Sequence, residues 1–295
     1  MKQREWLRAR LLARDTVWSA GAYDALSAKL IQAAGFEALL TTGFGISAAH
    51  LGQPDVELYT MTENLNVVRL IVNAVDIPVI ADCDTGYGNA VNVMRTVREF
   101  ERAGVAALIL EDQVVPKRCP VIVNQVEVLP REEAVAKIRA AVEARQDPDL
   151  VIIARTDAGT EAEAIARAQA FVAAGADMVQ PISKTFRNTD MLRRFAAAAG
   201  APVSLQVLGW LEDLSPEVLR DLSGMATFPL VPLMTAVAAL RTNLTELRRT
   251  LSTGTLQLPR TNPAEFADLL GFAEIQDVQA RFLPASLNVP EKLAV

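Results

Sequence analysis

Four places in the chain repeat one pattern, a helical stretch that ends at glycine and is followed at once by an apolar run. They are AGFEALL (34–40), AGVAALIL (103–110), AGADMVQP (174–181) and AGAPVSLQ (199–206). Glycine adopts the left-handed C-cap conformation without a Cβ penalty, so each reads as a helix delivering a strand. VWSA near 17, PVIAD at 78, LVIIAR at 150 and ATFPLV at 226 bring the candidate strands to eight. Helix starts are legible between them. Thr160-x-x-Glu163 reads as a capping box, Ser215-Pro216 as an N-cap followed by proline at the first helical position, and Asn89 as the N-cap before VNVMRTVREF. Strands apolar throughout and separated by helices predict a parallel sheet covered on both faces. Eight such units in 295 residues predict a (β/α)8 TIM barrel rather than an open sheet. The barrel is placed at 1–252. A C-terminal extension, 253–295, begins with the extended piece LQLPRTNP and carries one helix around 263–282, packing on the barrel or on a neighbouring subunit.

In such a barrel the chemistry comes from the C-terminal ends of the strands. Polar residues fall where the apolar runs stop: TTG (41–43), ADCD (81–84), LED (110–112), ARTD (154–157), QPISK (180–184) and LQ (205–206). Side chains alternate along a strand, so Asp82 and Asp84 are expected on one side and Cys83 on the other. Gly86 and Gly88 supply a tight turn behind them. Two neighbouring carboxylates repel unless a cation lies between them or one is protonated, and Glu111 makes a third. Capping or pairing with arginine is one reading; an oxygen-liganded divalent ion, most plausibly Mg2+, is the other. The connection 111–130 is long for a barrel and too apolar to read as disordered, which suggests a lid. In it Lys117-Arg118-Cys119 sets a thiol beside two cations, an arrangement that lowers a thiol's pKa; a buried structural cysteine is the alternative. Arg155 is suited to binding a substrate carboxylate or to an internal pair with Asp157.

Composition narrows the field. With 35 acidic and 29 basic residues the net charge is −6, which leaves no footprint for nucleic acid or an anionic membrane. No signal peptide or membrane span is evident. Two cysteines, Cys83 and Cys119, exclude a disulfide framework and point to a cytoplasmic setting. The lone histidine, His50, excludes a multi-histidine metal site and is given no catalytic role. Gly43-Phe44-Gly45 looks like half a phosphate loop, but no full nucleotide motif follows.

SAGAYDALSAKLIQAAGF, the LGQPD loop, ADCDTGYGNAVNV, EDQVVPKRC and IIARTDA, in that order, resemble the isocitrate lyase and phosphoenolpyruvate mutase superfamily over at least residues 16–250. AEIQDVQARF resembles its C-terminal helix. The resemblance implies a barrel whose last helix is swapped between subunits, a homotetramer built as a dimer of dimers, and chemistry dependent on Mg2+, with Mn2+ as a substitute. The substrate is then a small 2-oxo or 2-hydroxy acid passing through an enolate. Metal-binding acids fall on Asp82, Asp84 and Glu111, with Asp55 near the metal's water shell. Thr42, Gly43 and Phe44 match the segment that receives a substrate carboxylate, and Arg155 the arginine that clamps it. Lys117 and Cys119 match the mobile loop, whose cysteine hands a proton to the enolate carbon.

Departures accompany the matches. Lyases of this group read KRCGH where this chain has Pro120-Val121 after Cys119. They carry glutamate after a proline where Pro181 is followed by Ile182, and asparagine where this chain has Gln206, a candidate substrate contact. The expectation is a carbon–carbon lyase of the methylisocitrate or alkylmalate type. The alternatives are an oxaloacetate decarboxylase or hydrolase, a phosphonomutase, and an oxo-acid binder without turnover.

Overall fold

A computed structural model describes residues 2–123 and 126–284. All eight expected strands are present: β1 (Val17–Ala22), β2 (Ala38–Thr41), β3 (Val79–Asp82), β4 (Ala107–Glu111), β5 (Val151–Thr156), β6 (Met178–Pro181), β7 (Ser204–Gln206) and β8 (Met225–Phe228). Every ladder is parallel, in the order β6-β5-β4-β3-β2-β1-β8-β7, and a Val179–Val203 bridge joins the two ends into a nearly closed (β/α)8 barrel. The glycines that mark the repeated pattern do what the pattern requires: Gly35, Gly104, Gly175 and Gly200 all have positive φ, between 79° and 102°.

Strand periodicity divides the core. Leu40, Ile80, Ile109, Ile153, Met178 and Met225 fill the barrel interior together with Leu7 and Leu11 of the helix Gln3–Leu12. Their chain neighbours Leu39, Ala81, Leu108, Leu110, Ile152 and Ala154 pack outward under the helices. Continuing the interior parity to the C-terminal strand ends brings Thr42, Asp82, Glu111, Arg155, Gln180 and Gln206 into one layer at the top of the barrel.

Caps largely follow the sequence. Asn89 Oδ1 accepts the Val91 N–H at 3.0 Å, and Ser215 caps the helix Pro216–Leu222. Thr160 completes only half of its box. Its hydroxyl takes the Glu163 N–H, but the Glu163 carboxylate is drawn to Arg131 and Arg167. Charge-assisted bonds to guanidinium outcompete a neutral backbone donor.

The chain falls into two compact units, Met1–Ala236 and Val237–Val295. In the second, the single helix expected around 263–282 is two, Pro263–Leu270 and Phe272–Phe282, broken at Gly271 with φ 75°. Neither helix buries a residue. Residues 285–295 of the expected extension lie outside the described residues. Among the described residues no helix is long and apolar enough to cross a membrane.

Candidate active site

Asp82 ends β3 on the interior parity, and Asp84 joins it by a different route from strand alternation. The strand stops at Asp82, Asp84 turns to φ 47°, and its N–H donates to Asp82 Oδ1 at 3.1 Å. A turn follows in which Gly86, Tyr87 and Gly88 all have positive φ. Cys83 points away into the apolar layer and is fully buried, as expected. Both carboxylates converge on Gly43. A Cβ there would lie 3.2 Å from Asp82 Oδ2, 3.2 Å from Asp84 Oδ1 and 2.6 Å from the Tyr59 hydroxyl. The Gly43 N–H donates to Asp82 Oδ2 at 3.3 Å, and Thr42 caps the short turn Gly43–Ile46 through the Gly45 N–H.

Two cations hold these acids. The Lys117 ammonium, buried, donates to Asp55 Oδ2 at 3.1 Å and to Asp84 Oδ1. Burial works against its charge, yet Asp84, Glu111 and Asp55 together keep its pKa well above the usual lysine value. Arg155 donates Nε and Nη2 to the two oxygens of Asp157, each at 2.9 Å, and sets Nη1 2.9 Å from Glu111 Oε2. Its fork is therefore spent on an internal pair, the second of the two roles open to it, while its remaining surface lines the cavity. Burial raises Asp82 to about 6, reinforced by Asp84, and raises Glu111 well above the ordinary carboxylate range against the pull of Arg155.

The donor set suits a hard cation. Among the described residues no three acid, thiol or imidazole groups close around one point. Yet both oxygens of buried Glu111 and Oδ1 of Asp55 lack a well-formed hydrogen bond, although Arg155 and Lys117 lie within ion-pair distance. Orphaned, buried carboxylate oxygens beside Asp82 and Asp84 fit an oxygen-liganded divalent ion.

A cavity of about 440 Å³ opens over this layer. Thr42, Phe44, Asp55, Asp82, Lys117, Cys119, Arg155 and Gln206 all line it, so the structure brings these sequence candidates together; Asp84 and Glu111 lie against them through Lys117 and Arg155. The loop after β4 carries Cys119 into the wall, its two ends tied by the antiparallel bridge Gln113–Val128. The neighbouring cations do not decide the thiol's pKa: Lys117 pulls it down, but the net shift is upward. Burial raises it, and Asp55 adds to the rise, because the Lys117 charge is taken up by carboxylates. The buried thiol is thus protonated rather than a thiolate near neutral pH. His50 is exposed, with Nε2 3.2 Å from the Tyr23 carbonyl, and does not line the cavity.

Sequence reading passed over Gln180 and Gln113. Gln180 shares the interior parity of Met178, and its Oε1 accepts from Ser204 Oγ at 3.0 Å and from Gln206 Nε2 at 3.2 Å. Gln113 links Asp157 to the Arg118 N–H, and so ties the arginine pair to the loop. Parity within QPISK was the available signal for the first; the second had none.

Comparison with known proteins places the chain among relatives of one family. A family model described as phosphoenolpyruvate phosphomutase matches residues 7–248. The 2,3-dimethylmalate lyase of Eubacterium barkeri is 41% identical over 281 residues, spanning 94% of this chain and 96% of that protein. The 2-methylisocitrate lyase of Aeropyrum pernix is 38% identical over 98% of this chain and 92% of its own length. A phosphonopyruvate hydrolase structure, solved with oxalate and Mg2+, superposes with a TM-score of 0.87 at 32% identity, covering 96% of this chain and 100% of that one.

Proposed function

The chain belongs to the phosphoenolpyruvate phosphomutase family within the isocitrate lyase superfamily, and on that basis we propose that it is a Mg2+-dependent carbon–carbon lyase of small 2-hydroxy dicarboxylic or tricarboxylic acids. The observation that carries the reading is one cavity lined by both the carboxylate cluster and the protonated thiol of Cys119. Asp82, Asp84 and Glu111 would hold the cation, which supplies Lewis-acid stabilisation of the negative charge that gathers on a substrate oxygen.

The chain's own residues do the rest. Cleavage of the bond beside a hydroxyl-bearing carbon removes the hydroxyl proton and turns that carbon into a carbonyl. The electron pair goes to the departing fragment, which must then be protonated at carbon. Cys119 is the donor for that second step. Asp55, whose proton affinity is raised by burial, is assigned the hydroxyl proton. Thr42, Gly43 and Phe44 receive a substrate carboxylate. Lys117 offsets the repulsion between Asp55 and Asp84, and Arg155, fixed by Asp157, holds Glu111 and presents its outer edge to substrate. Closing the loop over the cavity excludes water from the enolate.

Homotetramer assembly with exchange of the last helix belongs to the same reading. Support comes from the second unit, where the described residues have no buried side chain while Leu240, Leu244, Phe272, Ile275 and Phe282 stand exposed. A second catalytic reading, decarboxylation or hydrolysis of oxaloacetate, gains support from the uncharged residues Val121, Ile182 and Gln206 in the wall, since such a reaction needs fewer contacts to a second product. A Mg2+-dependent screen of alkylmalates, methylisocitrate-type acids and oxaloacetate by mass spectrometry separates the two. Release of an oxo acid together with a shorter carboxylate supports the lyase; loss of CO2 or hydrolysis of oxaloacetate alone overturns it.

A further inference from the structure

Two tyrosine hydroxyls reach the acid layer, and only one of them has a partner. Tyr87 accepts from Asn64 Nδ2 at 2.6 Å and donates to Asp84 Oδ2 at 3.4 Å. The Tyr59 hydroxyl is buried and makes no hydrogen bond among the described residues. An interior hydroxyl left unpaired is destabilising, and phenylalanine would fill the same space without that penalty. The hydroxyl is therefore matched to a group from outside the chain.

Its surroundings identify the group. Tyr59 immediately precedes Thr60, the N-cap of the helix Met61–Ala74, and the reciprocal Thr60–Glu63 bonds of that cap fix the angle at which the chain enters. The side chain, 2% exposed, packs in the apolar layer with Cys83. It lines a second cavity, of about 390 Å³, with Tyr87, Thr62, Arg95 and Val115, and is no part of the wall of the first. The hydroxyl thus meets the acids from the side away from substrate. A Cβ on Gly43 would lie 2.6 Å from it and 3.2 Å from both Asp82 Oδ2 and Asp84 Oδ1, so the bare glycine is what lets the three oxygens face one another. Asp84 Oδ1 already accepts from Lys117, Asp82 Oδ2 accepts from the Gly43 N–H, and Tyr59 bonds to neither. Burial, and Asp84 after it, hold the phenol's pKa well above the ordinary value, so the group stays a neutral hydroxyl able to donate and to accept. Mg2+ keeps several waters when it binds carboxylates, and such a water commits a lone pair to the metal and offers its O–H groups outward. A phenol oxygen beside the two acids is placed to accept one.

We propose that Tyr59 is a positioning residue of the cation site: its hydroxyl accepts a hydrogen bond from a water on the Mg2+ and donates one of its own to the Asp82–Asp84 pair. Phenylalanine can do neither. This rests on the reading of these acids as a Mg2+ site, and it is measurable without substrate.

Titration calorimetry of the full chain with Mg2+ alone, beside melting curves with and without the cation, tests it. Tyr59→Phe removes one oxygen and keeps the ring. The variant should bind Mg2+ about 10- to 100-fold more weakly than the parent. Its metal-free form should melt no lower than the metal-free parent, because it loses only an unpaired hydroxyl. The gap between the two proteins should therefore open only when Mg2+ is added. Equal Mg2+ affinity overturns the proposal and leaves the metal reading standing. A variant that melts lower by the same margin with and without Mg2+ marks a purely structural hydroxyl and overturns it too. A parent that takes up no Mg2+ removes the metal reading and the proposal with it.

Discussion

The ammonium of Lys117 lies 3.0 Å from the nearer carboxylate oxygen of Asp55, a residue 62 positions earlier in the chain, and both are buried. This pair fastens the loop that carries Cys119 to the loop after β2, and the same ammonium also serves Asp84. Removing one partner of a buried pair leaves an uncompensated charge, which costs about 3–5 kcal/mol. Lys117→Met is therefore expected to lower the melting temperature markedly and abolish turnover. Mg2+ should restore more stability to the variant than it adds to the parent, because the cation takes over part of the neutralisation of Asp84. Equal Mg2+ stabilisation of the two proteins, measured by calorimetry, counts against Asp84 as a ligand.

The pH dependence of cation binding follows from Asp82, which burial and Asp84 raise to about 6. The metal binds only the deprotonated carboxylate, so protons compete with it below that value. Apparent Mg2+ affinity should be level above pH 7 and fall as pH drops through 6, approaching about tenfold per unit at lower pH. The sign for folding is opposite. An acid whose folded pKa exceeds its unfolded one binds more protons when folded, so the metal-free protein loses stability as pH rises from about 4 to 6. Titration calorimetry in buffers of different ionisation enthalpy measures the proton release directly; none at pH 5.5 would falsify the assignment.

Gly43 offers a sharper test of the cluster, because its requirement is spatial. Its φ is not in the left-handed region, so alanine is tolerated by the backbone, but the added methyl would sit 2.6 Å from the Tyr59 hydroxyl and 3.2 Å from both Asp82 and Asp84. The carboxylates must move apart to admit it. Gly43→Ala is expected to fold, with a melting temperature within a few degrees of the parent, and to bind Mg2+ at least about tenfold more weakly. Unchanged affinity would show that the cation does not sit where the two acids converge.

Much of this was legible in the sequence because barrel strands obey two simple periods. The helix–glycine–strand pattern located four strands and further apolar runs the other four, and parity along the strands then carried Thr42, Asp82, Glu111, Arg155 and Gln206 to one layer. What parity does not encode is where an ion pair settles. Nothing in ARTD decides whether Arg155 turns to substrate or to Asp157, since both outcomes use the same side chain; only the packing of Gln113 and Glu111 around it does. The thiol shows the same limit. Adjacent cations in Lys117-Arg118-Cys119 suggest a lowered pKa, but Lys117 turns to the acids and burial decides the sign.

Cys119 should therefore behave as an acid. Cys119→Ala is expected to cut kcat by about 10²- to 10⁴-fold while KM changes little, the signature of a lost proton transfer rather than lost binding. Because burial raises the thiol's pKa, alkylation by iodoacetamide at pH 7 should be slower than that of a free thiol, and should accelerate as pH rises above 9. Rapid alkylation at pH 6 would mean a thiolate, and a base rather than an acid in the mechanism.

The second unit supplies the last prediction. Its helices Pro263–Leu270 and Phe272–Phe282 have no buried residue, and Leu240, Leu244, Phe272, Ile275 and Phe282 are all exposed. An apolar surface of this extent is stable in water only when something covers it, and the proposed homotetramer does so with a second copy of the chain. Light scattering on the eluting protein should then give about four times the 31.9 kDa chain mass. Replacing Phe272 and Ile275 together by glutamate should shift the mass towards dimer or monomer, since burying two unpaired carboxylates at an apolar interface costs several kcal/mol. A parent protein that elutes as a monomer at micromolar concentration, with the double variant indistinguishable from it, removes the tetramer from the reading and leaves the barrel chemistry untouched.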